Sequence, residues 1–323
     1  MFKSIFIGFT PFHLILINSL IRSLGLNRCI IVIFHEGSGE KVRRYVDNQN
    51  ESNQTMLFPM KRNFGALANM IKVLLFLRKN TKFNPCIYCS QLKSFYSRVI
   101  LMGLDEKKYV LNTLDDGAAN ISSDSFFMKD EKKAFKYFFK ILSPTYVYKK
   151  IIKKINIHYT IYDKENVLSL FSNETIKFKL DEVVLDKGFY TNCSFDKVLL
   201  TAPLSEHLGM SSTKEVELYN KISSEFDITH RIEHPAETEK KRNNLFLKTI
   251  VTDAIAEEVI LNMASYNRIV VYGFGSSVLF NLAGHRNVKC IYLYDGDVVK
   301  TPSSMNGLNI DFINVGNMVD QKC

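Results

Sequence analysis

The strongest constraint on the fold of this chain is an alternation between two kinds of segment. Continuous apolar runs rich in β-branched residues are separated by stretches with helical spacing. Lys3 to Phe9 reads as a buried strand, and Thr10-Pro11 then opens a helix to about Leu24. Proline suits that first turn, where its missing N–H costs nothing. Cys29 to Phe34 is a second buried strand. Asn63 to Leu77 has helical spacing, Phe83 to Tyr88 and Tyr109 to Asn112 read as short strands, and a helix from about Ser94 to Met102 lies between them. Such alternation implies a mostly parallel sheet covered on both faces.

The pattern resumes at Lys197 to Ala202. A helix around Lys214 to Ser224 follows, then a strand near Ile228 to Glu233 and a short one within Leu245 to Val251. Ala254 to Met263 reads as a helix, Arg268 to Phe274 as a buried strand, Ser276 to Ala283 as a short helix and Lys289 to Leu293 as a strand. The chain is therefore expected to be α/β, with two Rossmann-like domains at 1–121 and 191–323. A length of 323 residues favours two domains over one, and 46% apolar residues suffice for buried cores. Residues 122–190 break the alternation, and their Lys- and Phe-rich composition predicts an inserted helical segment and linker.

Charge is concentrated in that middle. Of the net +9, an excess of seven falls between Lys129 and Asn156, with nine lysines against Asp130 and Glu131. Aromatic and aliphatic residues interleave with the lysines. The plain reading is a solvated helix pair with an apolar inner face; the sharper one is a patch for anionic lipid or an acidic glycolipid. No nucleic-acid-binding motif accompanies it, so nucleic acid is not an expected partner. No apolar run approaches the roughly 18 residues of a membrane span. The N-terminal apolar stretch runs into Thr10-Pro11 without a small-residue cleavage site, which favours a first strand and a cytosolic location. Cys86 and Cys89 sit on a strand-like segment with no second close pair, so reduced structural thiols are expected rather than a zinc or redox site.

Three short motifs fall where strands end, the usual place for ligands in open parallel sheets. Asp115-Asp116-Gly117 can direct one carboxylate outward while the other holds backbone N–H groups; a plain Asp-Gly turn is the bland alternative. Asp116, next to the turn, is the better candidate for accepting a proton. His234-Pro235 ends another strand, and proline biases His234 to extended geometry. A protonated imidazole there would neutralise or protonate a departing phosphate, against a surface loop histidine. His13 falls on a helix face and His158 near the basic stretch. Gly275-Ser276-Ser277 opens a helix whose N–H groups attract an anion, with N-capping by Ser276 as the compatible plain reading. Glu257 is a candidate for ribose hydroxyls or a surface helix acid, and Glu206 is a second candidate base or an opening turn.

In this order the motifs resemble the bacterial sialyltransferases of glycosyltransferase family 52, which build lipooligosaccharide and capsule. The resemblance is carried by Gly8 to Leu20, Leu114 to Asn120, Leu199 to Glu206, Ile232 to Glu237 and Ala256 to Ala283. It implies a GT-B-like architecture with the two domains facing a central cleft, a CMP-sialic acid donor, and inverting transfer to a terminal galactose, α-2,3 linked, without metal or cofactor. It implies His234, with Pro235 beside it, at the leaving phosphate. Ser276, Ser277 and Gly275 would line that phosphate, and Glu257 the ribose. The base is Asp116 of the Asp115-Asp116 pair or else Glu206, since Leu204 cannot serve. Relatives pair through the helical middle, so a homodimer is also implied, at the inner face of the bacterial membrane. A hexose-transferring relative and a non-catalytic glycan- or nucleotide-binding protein are the alternatives.

Overall fold

A computed structural model of the chain describes residues 1–36, 40–47, 52–60, 64–117, 120–121, 129, 131, 133–163, 167–180, 195–205, 209–234, 237, 244–296, 299 and 307–316. The chain divides into two compact units, Met1–Asp181 and Glu182–Cys323.

The first unit is built on seven strands: β1 (Phe2–Gly8), β2 (Ile30–His35), β3 (Gln54–Pro59), β4 (Thr81–Cys89), β5 (Val110–Leu114), β6 (Ile155–Thr160) and β7 (Glu174–Lys177). They lie in the order β3-β2-β1-β4-β5-β6-β7, every pairing parallel. Ile5, Phe6, Ile7, Ile30, Ile31 and Val32 are all fully buried. Burial of both faces of β1 and β2 is why their sequences are apolar without alternation. Helices α1 (Pro11–Ser23), α2 (Glu40–Asp47), α3 (Phe64–Asn80), α4 (Phe95–Gly103), α5 (Lys133–Leu142) and α6 (Tyr148–Ile151) intervene. Strand order reverses between β1 and β4, so the crevice beyond their carboxyl ends is this sheet's switch point.

The second unit has β8 (Lys197–Leu200), β9 (His230–Ile232), β10 (Lys248–Thr249), β11 (Ile269–Gly273), β12 (Val288–Tyr294) and β13 (Ile310–Asn314) in the order β10-β9-β8-β11-β12-β13, again parallel throughout. Its helices are α7 (Ser212–Glu225), α8 (Ala256–Ala264) and α9 (Ser277–Leu282). Here the order reverses between β8 and β11. Both units thus repeat the Rossmann arrangement, in which the first strand is central.

The structure differs from the expected helical insertion at 122–190. This segment supplies β6 and β7, which complete the first sheet, and the first unit extends to Asp181. The strand character of β6 was hidden by polar residues that the fold satisfies internally: His158 Nδ1 meets Thr113 Oγ1 at 2.9 Å. The basic stretch is anchored by Arg98 of α4, fully buried, which donates to Glu131 and lies 4.1 Å from the Phe139 ring centre. Cys86 and Cys89 are free thiols in β4, and burial pushes the Cys89 thiol up to about 12. No described helix is long and apolar enough to cross a membrane.

Candidate active site

Each unit gathers polar side chains at its own switch point. In the first, α1 starts directly beyond β1. Thr10 caps the helix, its Oγ1 accepting the His13 N–H at 3.2 Å. His13 reciprocates: its Nδ1 accepts the N–H groups of Phe9 at 3.0 Å and Thr10 at 3.2 Å. This is a capping box with imidazole in place of the usual Glu or Gln. Because Nδ1 is engaged as an acceptor, the ring proton is assigned to Nε2. Nε2 lies 2.9 Å from Asp116 Oδ1. Gln91, just past β4, donates its side-chain N–H to the same oxygen at 2.8 Å. Asn120 Oδ1 accepts the Asp116 backbone N–H at 2.7 Å, which fixes the turn. The Asp116 side chain is 13% exposed. Its Oδ2 has no hydrogen-bond partner among the described residues.

Asp115 faces the other way. It is fully buried, with Oδ2 accepting the Ile161 N–H at 2.7 Å and Oδ1 lying 3.3 Å from His158 Nε2. It ties β5 to β6 and is a structural carboxylate.

In the second unit, His234 follows β9 and its side chain is exposed. Its backbone is clamped by Glu237, which accepts the His234 N–H at 3.1 Å and donates its own N–H to the His234 carbonyl at 3.0 Å. Glu237 is buried, and its carboxylate also accepts from Thr201 Oγ1, at the end of β8, and from Arg231 Nη1 at 3.1 Å. Arg231, 1% exposed, further donates to Glu233 at 2.7 Å and to Thr249 at 3.1 Å. A buried guanidinium with two carboxylates fastens the ends of β8, β9 and β10, and a fully bonded network of this kind holds one geometry.

Beyond β11, Gly275 takes a φ of +59°, a left-handed backbone that favours glycine. Ser276 caps α9, accepting the Val278 N–H at 3.3 Å, and Ser277 is exposed beside it. Glu257 is buried in the first turn of α8 and accepts from Asn281 of α9 at 2.9 Å. Burial raises its carboxyl above the ordinary range, and the Asn281 bond offsets part of that. It is a buried acid rather than a surface one. Glu206 and Pro235 lie outside the described residues.

The structure thus brings Asp116 together with His13 and Gln91, and His234 together with Glu237, partners that the motifs did not name. His13 had a local signal, a Thr-Pro-x-His sequence able to close a capping box. Glu237 had none beyond its spacing from His234. Two parallel sheets of Rossmann order, each with ionisable groups at its switch point, define the GT-B class of glycosyltransferase fold. The chain belongs to glycosyltransferase family 52, whose match spans residues 27–295.

Over 214 residues the chain is 27% identical to the N-acetyllactosaminide alpha-2,3-sialyltransferase of Haemophilus influenzae. Over 219 residues it is 24% identical to the CMP-N-acetylneuraminate:beta-galactoside alpha-2,3-sialyltransferase of Pasteurella multocida. The matches cover 64% and 66% of this chain and the same shares of those relatives, so they span just under two thirds of the relatives' length. The crystal structure of the alpha/beta-galactoside alpha-2,3-sialyltransferase of Photobacterium phosphoreum shares the fold, with a TM-score of 0.59, 14% identity, and coverage of 97% of this chain and 99% of that one. A UDP-N-acetylglucosamine 2-epimerase from Rickettsia bellii is similar at 0.53, with 11% identity and coverage of 91% and 79%.

Proposed function

We propose that this protein is an inverting, metal-independent sialyltransferase. It moves sialic acid from CMP-sialic acid to a terminal galactose of a cell-surface glycan, forming an α-2,3 linkage. The observation that carries the reading is Asp116: a carboxylate at a switch point, with one oxygen held by two donors and the other without a partner among the described residues.

In the proposed reaction Asp116 accepts the proton of the galactose 3-hydroxyl. The freed oxygen bonds to the anomeric carbon of sialic acid from the face opposite CMP, and the bond from that carbon to the phosphate oxygen breaks. His234, as imidazolium, gives its proton to the departing phosphate. Ser276 and Ser277 line the phosphate, and Glu257 holds the ribose. CMP is already a good leaving group, so positioning and charge neutralisation carry the catalysis. Glu206 is the alternative base; Asp116 is preferred for the geometry around its carboxylate.

Incubating the protein with a lactose acceptor and a panel of CMP-, UDP- and GDP-sugars, read by mass spectrometry, tests this. Sialyl-lactose from CMP-sialic acid alone is the expected product. Hexose transfer, or donor binding without turnover of any donor, overturns it.

The middle segment is proposed to hold the enzyme against the inner face of the membrane. On α5 only Phe139 is buried, while Tyr137, Ile141 and Leu142 are 60%, 80% and 56% exposed. Lys133, Lys136 and Lys140 lie on one side of that outward stripe. An apolar stripe edged by lysines suits an anionic interface. Reversing Lys133, Lys136, Lys140 and Lys149 should weaken binding to anionic vesicles more than tenfold, at about 1 kcal/mol per lysine. Unchanged vesicle binding, or a dimer dissociated by Ile141→Glu, would assign the face to pairing of two copies instead.

A further inference from the structure

We infer that His13 is the positioning residue for the Asp116 carboxylate: it holds one oxygen by Nε2–H so that the other is presented to the acceptor. This rests on the proposed role of Asp116 as base, and goes beyond it in assigning a task to a residue on a different element.

Three observations converge. First, the ring cannot turn. Nδ1 accepts two backbone N–H groups from the residues that open α1, so a flip would leave both donors at the helix start without their partner. Second, the first turn of α1 lies close over the end of β1. A Cβ at Gly8 would lie 3.1 Å from His13 Cβ, 3.2 Å from Ile17 Cδ1 and 2.8 Å from Ile33 Cδ1. Glycine at the end of β1 lets the first turn of α1 sit this close without displacing those side chains. Third, His13 is 2% exposed while Asp116 is 13% exposed. The imidazole is therefore placed to act through the carboxylate, not on substrate. Gln91 supplies a second donor to the same oxygen from the end of β4. Two donors on Oδ1 from two strand ends leave the carboxylate one rotational setting. A base held in its productive orientation avoids the large rate loss that misplacement by about 1 Å produces.

Two substitutions separate positioning from folding. In His13→Asn the side-chain oxygen can take over the Nδ1 acceptor role at the helix start, but the shorter side chain no longer reaches Asp116, which keeps only its Gln91 donor. In His13→Gln the amide N–H can reach Asp116. We expect His13→Asn to lower kcat by about 10- to 100-fold with both KM values within about twofold. His13→Gln should recover most of kcat. Equal damage in both variants, tracking a loss of thermal stability, overturns the proposal, as does an unchanged kcat in His13→Asn.

A readout independent of any variant comes from long-range proton–nitrogen correlation spectra of the parent protein at neutral pH. His13 should be the Nε2–H tautomer, and its Nε2 resonance should move in Asp116→Asn. An Nδ1–H tautomer overturns the inference. Asp116→Asn also separates the two levels of reading. If it retains full transfer, the base assignment fails whatever His13 does. If it is inactive while His13→Asn is unaffected, the base stands and the role of His13 falls.

Discussion

Asp115 and Asp116 are consecutive, carry the same side chain and each meet a histidine, yet they have opposite fates. Asp115 points inward, has both oxygens engaged and joins β5 to β6 through Ile161 and His158. Asp116 points to the strand-end crevice, with both donors converging on one oxygen. The difference teaches that residue type does not separate a structural acid from a candidate catalytic one. What separates them is the lone pairs left unused and the water that can reach them. Consecutive residues leaving a strand point to opposite sides, so an acidic pair at such a place supplies one of each.

The sharpest way to break this contrast is to neutralise each member in turn. Asp116→Asn should lower transfer by about 10²- to 10⁴-fold while leaving the melting temperature near that of the parent. Asp115→Asn should do the reverse in character, weakening hydrogen bonds to a buried charge at a cost of about 1.5–3 kcal/mol in unfolding free energy. Denaturant titration beside a transfer assay reads both. If the inner variant lost only activity and the outer one only stability, the assignment would be inverted.

A third carboxylate extends the comparison to the second unit. Glu237 is buried like Asp115, but it clamps the backbone of His234. Glu237→Gln should cost both properties at once: about 1–3 kcal/mol of stability through Arg231 and Thr201, and about tenfold in kcat through the displaced His234 loop. Loss of stability alone would make the network a fastener without bearing on the imidazole.

Glu257 gives the smallest and most selective effect. Burial raises its carboxyl, so its protonated form favours the fold. That contribution is fully present at acid pH and is lost as pH rises through the raised folded value. At neutral pH part of that contribution is therefore lost. Glu257→Gln should raise the neutral-pH melting temperature by about 2–4 °C, flatten its fall between mildly acid and neutral pH, and weaken CMP-sialic acid binding. A variant of unchanged donor affinity would mark Glu257 as a core acid with no ribose contact.

Much of the architecture was legible because parallel strands buried on both faces have unbroken apolar sequences, as in β1, β2 and β11. The edges were not. β7 and β13 are short and largely exposed, with one apolar residue in Glu174–Lys177 and an interrupted run in Ile310–Asn314, and β6 contains His158, whose polarity is met by Thr113 and Asp115 in the neighbouring strand and its end. α2 and β3 were passed over for the same reason, a polar eight-residue helix and a half-buried edge strand. Within the candidate site, the motifs pointed to strand ends and to Asp116 and His234. Thr10-Pro11-Phe12-His13 signalled a capping box but not the bond from His13 to Asp116, whose carboxylate lies just past β5. Such a link exists only once the sheet has formed.

The double duty of His13 bears on directed evolution of this scaffold. A library that randomises the opening of α1 would vary helix initiation and carboxylate geometry together, and most members would be discarded for poor expression before their chemistry was sampled. Gln91 touches the same oxygen from a loop and caps no helix. Diversity placed there can retune the proposed acceptor end of the reaction while the scaffold keeps its shape.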